Sequence, residues 1–358
     1  MLNNLKFLNL ENCYLSGRIP SSLGNLSNLE YLDVSDNSLI GEVPTSFGRL
    51  LNLKVLDISD NLFNGFLEEA HFANLSQLHT LLIGYNEFLS LDVKSNWVPP
   101  FQLKSLDASS CIGCFKSKFP RWLQTQKRLV SLVLSNISIS SGIPKWLDGQ
   151  NLTTLDLSHN QIVGPIPHNI GYQMPNLEDL FLSTNFMNGS LPLSLCKLKN
   201  LAYVDLSNNG LFGKIEDLEG NKFSGNIPTW VGDNLGNLQF LRLRDNQFNG
   251  KIPVGIGEAK SLESLDLSFN QLSGSIPKSL SELNSLDENV FESPKIENQD
   301  QEDDKWEKWL LYLMIMFGYG VGFWGGVVAL ILKKNWRCAY FKFIDEIKDK
   351  ILAAMKWR

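Results

Sequence analysis

The chain offers few residues suited to chemistry beyond its carboxylates. Four histidines (His71, His79, His159, His168) and five cysteines (Cys13, Cys111, Cys114, Cys196, Cys338) are spread along the 358 residues. Cys111-Ile112-Gly113-Cys114 has the spacing of half a zinc site or of a redox pair. One such pair supplies only half a tetrahedral shell, so neither use is expected. His79 and His159 stand too far apart in the chain pattern to share a metal, and no metal site or cofactor is expected. Gly320-Val321-Gly322-Phe323-Trp324-Gly325, followed by Asp345, matches a dinucleotide fingerprint letter by letter. It lies inside an apolar run with no strand-turn-helix unit around it, and lipid cannot host a pyrophosphate. No catalytic constellation remains, so the chain is not expected to be an enzyme. The formal net charge of −6 removes nucleic acid as a default partner. Chemistry done to the chain is better represented: Asn25, Asn74, Asn136, Asn151 and Asn188 each open an Asn-x-Ser/Thr acceptor for N-glycosylation.

The elements that carry these residues follow from a repeat. The pattern L-x-x-L-x-L-x-x-N-x-L/F-x-G-x-I-P recurs about every 24 residues, as in Leu29-Leu32-Val34-Asn37-Leu39 and Leu53-Leu56-Ile58-Asn61-Phe63. Further copies begin at Leu5, Leu78, Leu103, Leu129, Leu152, Leu177, Leu201, Leu238 and Leu262, about eleven units over residues 1–285. This is the leucine-rich-repeat signature. The L-x-L alternation sends both leucines of a short strand to one face. One such strand cannot bury them alone, so units stack into a parallel sheet. The Asn after each strand can bond backbone groups left open by the turn. Cys13 and Cys111 stand at that Asn position and are expected to be buried thiols. Gly-x-I/V/L-Pro then bends the chain and stops helix, as at Gly41-Val43-Pro44 and Gly250-Ile252-Pro253. The predicted fold is an α/β leucine-rich-repeat solenoid, with parallel strands on the concave face and an irregular or short-helical convex side, plus one C-terminal transmembrane helix. Leu201–Asn237 is too long for one unit and too short for two, which predicts a unit cut around 213–222.

Concave strand positions face solvent and are the expected ligand-binding surface. The candidates are Phe181, Tyr203, Phe240, Arg242, Arg244 and Asp245, with Phe240 and Arg242 as the strongest pair because an exposed aromatic beside an arginine suits an interface anchor.

Beyond the repeats, residues 286–308 form an acidic juxtamembrane linker. Trp309–Leu332 is a 24-residue stretch without a charge. As a helix it reaches about 36 Å, enough to cross a bilayer core of about 30 Å. Trp306 and Tyr312 at one end and Trp336 and Tyr340 at the other suit interfacial belts. Nine acids against three lysines lie over 287–308, and eight basic residues against three acids lie over 333–358. The positive-inside rule places the short basic tail, 333–358, in the cytoplasm and the repeats outside, a plasma-membrane, single-pass arrangement. Gly318, Gly322 and Gly326 lie four apart and offer a close-packing face to another helix.

Leu-x-Gly-x-Ile-Pro repeats followed by one span resemble the extracellular leucine-rich-repeat receptors of plants. The acidic linker, the Gly-rich span, Lys333-Lys334-Asn335-Trp336-Arg337 and Ala339-Tyr340-Phe341 are similar to kinase-lacking receptor-like proteins, most of all the group that senses a fungal xylanase elicitor. The resemblance implies a non-enzymatic cell-surface receptor that recognises a microbial elicitor or an endogenous peptide, protein or glycan. It implies defence signalling through a separate leucine-rich-repeat receptor kinase engaged by the transmembrane helix. Met1 falls inside a repeat with no apolar signal segment, and the family's terminal caps and non-repeat island are missing. A truncated, non-signalling decoy or scaffold, or a developmental peptide co-receptor, is the alternative reading.

Overall fold

The computed structural model describes residues 4–283 apart from 95, 112, 113, 116 and 213–225. Eleven three-residue strands, from Phe7–Asn9 to Ser264–Asp266, form one all-parallel sheet in strictly sequential order. In each strand the middle residue points inward: Leu32, Leu132, Leu155 and Leu180 are fully buried, and the residues flanking the last three are half-exposed. Each such leucine contributes about 1.5–3 kcal/mol on burial, and the stack shares one continuous core. Leu5, Leu8 and Leu10 at one end and Leu265 and Leu267 at the other are only partly buried.

The Asn that follows eight of the eleven described strands is a backbone splint. Asn61 accepts the N–H of Leu39 at 3.0 Å and donates to the carbonyls of Val34 at 2.9 Å and Ser59 at 2.9 Å. Asn86, Asn160, Asn185, Asn209, Asn246 and Asn270 repeat the arrangement. The two cysteines at this position both depart from the expected buried thiol. Cys13 is exposed; it sits in the first described turn, where no described unit stacks over it on that side. Cys111 is buried as expected but is not a free thiol: it is joined to Cys114 in a disulfide, closed by a local turn in which the Cys114 N–H reaches the Cys111 carbonyl at 2.9 Å.

On the convex side, prolines start short turns of 3₁₀ helix, such as Pro44 before Thr45–Arg49 and Pro253 before Val254–Glu258. Their φ of −67° in both cases is the value the ring imposes. Short α-helical turns stand at Glu69–Phe72, Ile170–Gln173 and Trp230–Asn234. Small lateral parallel sheets, absent from the sequence expectation, form where the chain approaches the Gly-x-Ile-Pro bends, with Ser38–Gly41, Leu62–Glu68 and Phe88–Asp92 in the longest. Gly41, at φ +85°, supplies the turn out of its strand.

On either side of the long Leu201–Asn237 stretch's undescribed residues the concave sheet is continuous. Tyr203–Asp205 pairs directly with Phe240–Arg242, and Asn246 still reaches the Leu206 carbonyl at 2.9 Å and the Leu211 N–H at 3.0 Å. The cut unit read around 213–222 lies outside the described residues. So do the linker at 286–308, the span at 309–332 with Gly318, Gly322 and Gly326, and the tail at 333–358. Among the described residues no helix is long and apolar enough to cross a membrane.

Candidate ligand-binding face

The parallel register sorts outward side chains into rows that run across the strands. One row carries Asp179, Tyr203, Phe240 and Ser264, and the next carries Phe181, Asp205, Arg242 and Asp266. Strands lie about 4.8 Å apart, so neighbours in a row are in contact range. Tyr203 and Phe240, 37 residues apart in sequence, stack with centroids 4.9 Å apart and planes within 11°. Such a pair is worth about 0.5–1.5 kcal/mol beyond burial. Tyr203 remains 37% exposed, so the pair still offers a face to solvent.

Arg242 enters a row otherwise rich in acids. Asp33, Asp57, Asp107, Asp156, Asp205 and Asp266 occupy the equivalent strand position in other units. These carboxylates are tied by one oxygen to the residue two places on: the Asp205 Oδ1 accepts the Ser207 N–H at 3.0 Å and its hydroxyl at 2.6 Å. Burial pushes the carboxyls of Asp57 and Asp156 up from their ordinary value, against the hydrogen bonds from Ser59 and Ser158. Arg242 Nη1 lies 4.0 Å from Asp205 Oδ2, with the arginine side chain 55% exposed. A pair this open contributes at most about 1 kcal/mol, so the guanidinium is not committed.

Arg244, two residues on, leaves the strand and lays its guanidinium over Phe269, 4.3 Å from the ring centroid. It also donates to Ser268 Oγ at 3.3 Å. Asp245 follows in the left-handed region at φ +51° and is exposed. The structure therefore gathers Tyr203, Phe240, Arg242, Arg244 and Asp245 on one face, and places Phe181 in the Arg242 row, two strands away. Sequence reading missed Phe269 and Asp266, which alignment of the last unit by column would have supplied. It also missed a second stack, Phe7 on Tyr31 at 4.3 Å, whose Tyr31 hydroxyl donates to Asp33 at 2.9 Å.

The imidazole of His79 contacts Thr80 Oγ1 at 3.1 Å. His159 sits in a left-handed turn at φ +54° after Thr154–Asp156, three strands along the sheet from Thr80–Leu82. Among the described residues no group of His, Cys, Asp and Glu could hold a metal ion. All five sequon asparagines, Asn25, Asn74, Asn136, Asn151 and Asn188, are exposed.

The Leucine Rich Repeat family model matches residues 4–26, 28–50, 151–172, 237–259 and 261–283. Receptor-like protein EIX2 of Solanum lycopersicum is 33% identical over 273 residues, covering 53% of this chain and 26% of that protein. Receptor-like protein 14 of Arabidopsis thaliana is 42% identical over 231 residues, covering 58% and 23%. The chain is similar to plant leucine-rich-repeat receptor-like proteins. It spans about a quarter of the length of these two curated relatives. Among solved structures, the Arabidopsis receptor kinase HAESA, in complex with the peptide hormone IDA and the co-receptor SERK1, is similar with a TM-score of 0.59. It is 31% identical over 79% of this chain and 53% of that one. The face just described lies on the strand side of the repeats, the side from which Tyr203, Phe240 and Arg242 project.

Proposed function

We propose that this chain is a non-enzymatic recognition receptor that captures a peptide or protein ligand on its concave face and signals in defence through a partner receptor kinase. The observation that carries the reading is the juxtaposition of a solvent-open Tyr203–Phe240 stack with two weakly held guanidinium groups, Arg242 and Arg244. The rings supply apolar area at low entropic cost, and the arginines supply charge-assisted, directional bonds to a ligand carboxylate or carbonyl. A solved relative that holds a peptide hormone and a co-receptor supports both halves of the reading. The plasma-membrane address with repeats outside, glycans on the five sequons and partner contact through Gly318, Gly322 and Gly326 complete it. The test is expression of the full chain in leaf tissue challenged with a panel of secreted fungal proteins and peptides. The expected result is a response that F240A/R242A abolishes at equal surface abundance. A response of equal size from the variant would remove this face from recognition.

A further inference from the structure

The residues that immediately precede the strands line one edge of the concave sheet. Early in the solenoid this edge is basic, in a chain whose net charge is −6. Lys54, His79 and Lys104 are consecutive along it: the His79 N–H bonds the Lys54 carbonyl at 2.9 Å and the Lys104 N–H bonds the His79 carbonyl at 2.7 Å. In the next unit the equivalent position is Val130, and Lys127 and Arg128, both exposed, stand three and two residues before it. The positions equivalent to Lys54 between Glu30 and Glu178 are His79, Lys104, Val130 and Thr153, so no carboxylate interrupts this line. Glu30 closes one end by pairing with Lys54 at 2.6 Å and Lys6 at 3.0 Å. Burial first, then the neighbouring Lys104 and Lys54, push the His79 imidazole down, toward its uncharged form.

The strip has two further properties that select its partner. Backbone groups along it are already consumed, since each carbonyl serves two donors: Lys54 O takes the N–H of His79 and of Thr80, and Lys104 O takes those of Val130 and Ser131. A peptide therefore has no strand edge to extend here. The neighbouring row offers Val55 beside Lys54 and then the hydroxyls of Thr80, Ser105 and Ser131. Lys54 and Lys104 stand two strands apart, about 9.6 Å, on either side of His79, with the Thr80 and Ser105 hydroxyls in the neighbouring row.

We propose that the Lys54–His79–Lys104–Lys127–Arg128 edge binds a linear carboxylated polysaccharide, a polyanion with regularly spaced carboxylates and hydroxyls, separately from the Tyr203–Arg242 face. Several exposed cations acting on one polymer give a steep dependence on salt, because each pair is screened within a Debye length of about 10 Å at 0.1 M. The experiment uses the full chain in detergent with polygalacturonate oligomers as the probe, titrated calorimetrically, and poly-glutamate of equal charge as the comparison. Polygalacturonate is expected to bind, to weaken at least about tenfold between low and high salt, and to lose at least about tenfold in affinity in K54Q/K104Q/K127Q/R128Q. The conservative K54R/K104R/K127R variant, a check against misfolding, is expected to keep binding. K197Q/K199Q/K251Q/K278Q, which removes equal charge elsewhere, is expected to bind like the parent. Absence of polygalacturonate binding, an equal loss in the control quadruple variant, or poly-glutamate binding as tightly as the polysaccharide would each overturn the proposal.

Discussion

Replacing Asn185 with Ala tests the splint that joins successive units. The Asn185 side chain is 7% exposed, and its Oδ1 accepts the Ile162 N–H at 2.8 Å while its Nδ2 donates to Leu157 O at 2.9 Å and Leu182 O at 3.1 Å. The carbonyls have second donors, since Asn160 also reaches Leu157 O and Asn209 also reaches Leu182 O. The Ile162 N–H has none of these alternatives, and Ile162 is fully buried. Orphaning one buried donor costs about 1–3 kcal/mol, and the weakened carbonyl bonds add a fraction more. The expected loss is about 2–3 kcal/mol, which corresponds to roughly 30- to 150-fold faster exchange of the Ile162 amide if that amide exchanges by local opening. Q161A, an exposed change in the same turn, is expected to stay within about 0.5 kcal/mol. The assay is urea unfolding of the purified chain together with amide exchange resolved at Ile162. A loss below about 0.5 kcal/mol with unchanged protection at Ile162 would refute the splint role.

Gly48→Ala places a Cβ against the Ala70 carbonyl oxygen, and is expected to cost about 1–3 kcal/mol in thermal or urea unfolding. Asp57→Asn should change the pH dependence of stability. Burial raises the Asp57 carboxyl above its ordinary value, so the folded chain binds that proton more tightly than the unfolded chain. Stability from this group therefore grows as pH falls through the raised value and is complete below about 3.9, the unfolded value. The replacing amide retains an oxygen for Ser59 and lacks the buried charge, so melting across that acidic window should show a shallower pH slope than the parent; an identical slope would show that Asp57 contributes nothing to it. Glu30 acts with the opposite sign: Lys54 and Lys6 hold its carboxyl down to about 2, so E30Q should remove stability that the parent keeps above about pH 4.5 and loses as pH falls toward 2, as melting over that range would show. Gly322→Leu, on the close-packing face read from the sequence, is expected to reduce co-purification with a partner receptor kinase from leaf membranes, and unchanged recovery would count against that helix contact.

The repeat, the strand phase and the Asn splints were legible in the sequence because each is local and recurs. A leucine two residues from another on a short strand has one way to be buried, and eleven copies state it eleven times. The exposed side of the same alternation named Tyr203, Phe240 and Arg242 as outward-facing, since period two leaves no other choice. What periodicity could not supply was who stands beside whom. Tyr203 meets Phe240 because the Tyr203–Asp205 and Phe240–Arg242 strands pair directly, a fact of three-dimensional stacking. The Arg244–Phe269 contact, the Asp205–Arg242–Asp266 row and the Lys54–His79–Lys104 edge likewise exist only across units. The Cys111–Cys114 disulfide and the lateral sheets were missed for a related reason: both depend on how irregular segments settle against their neighbours, and no repeating letter encodes that. The sequence by itself determined a leucine-rich coil and the side each residue faces, because those follow from short-range geometry. Tertiary stacking alone decided which side chains share a surface, because lateral contact arises from register between chain segments that are distant in sequence.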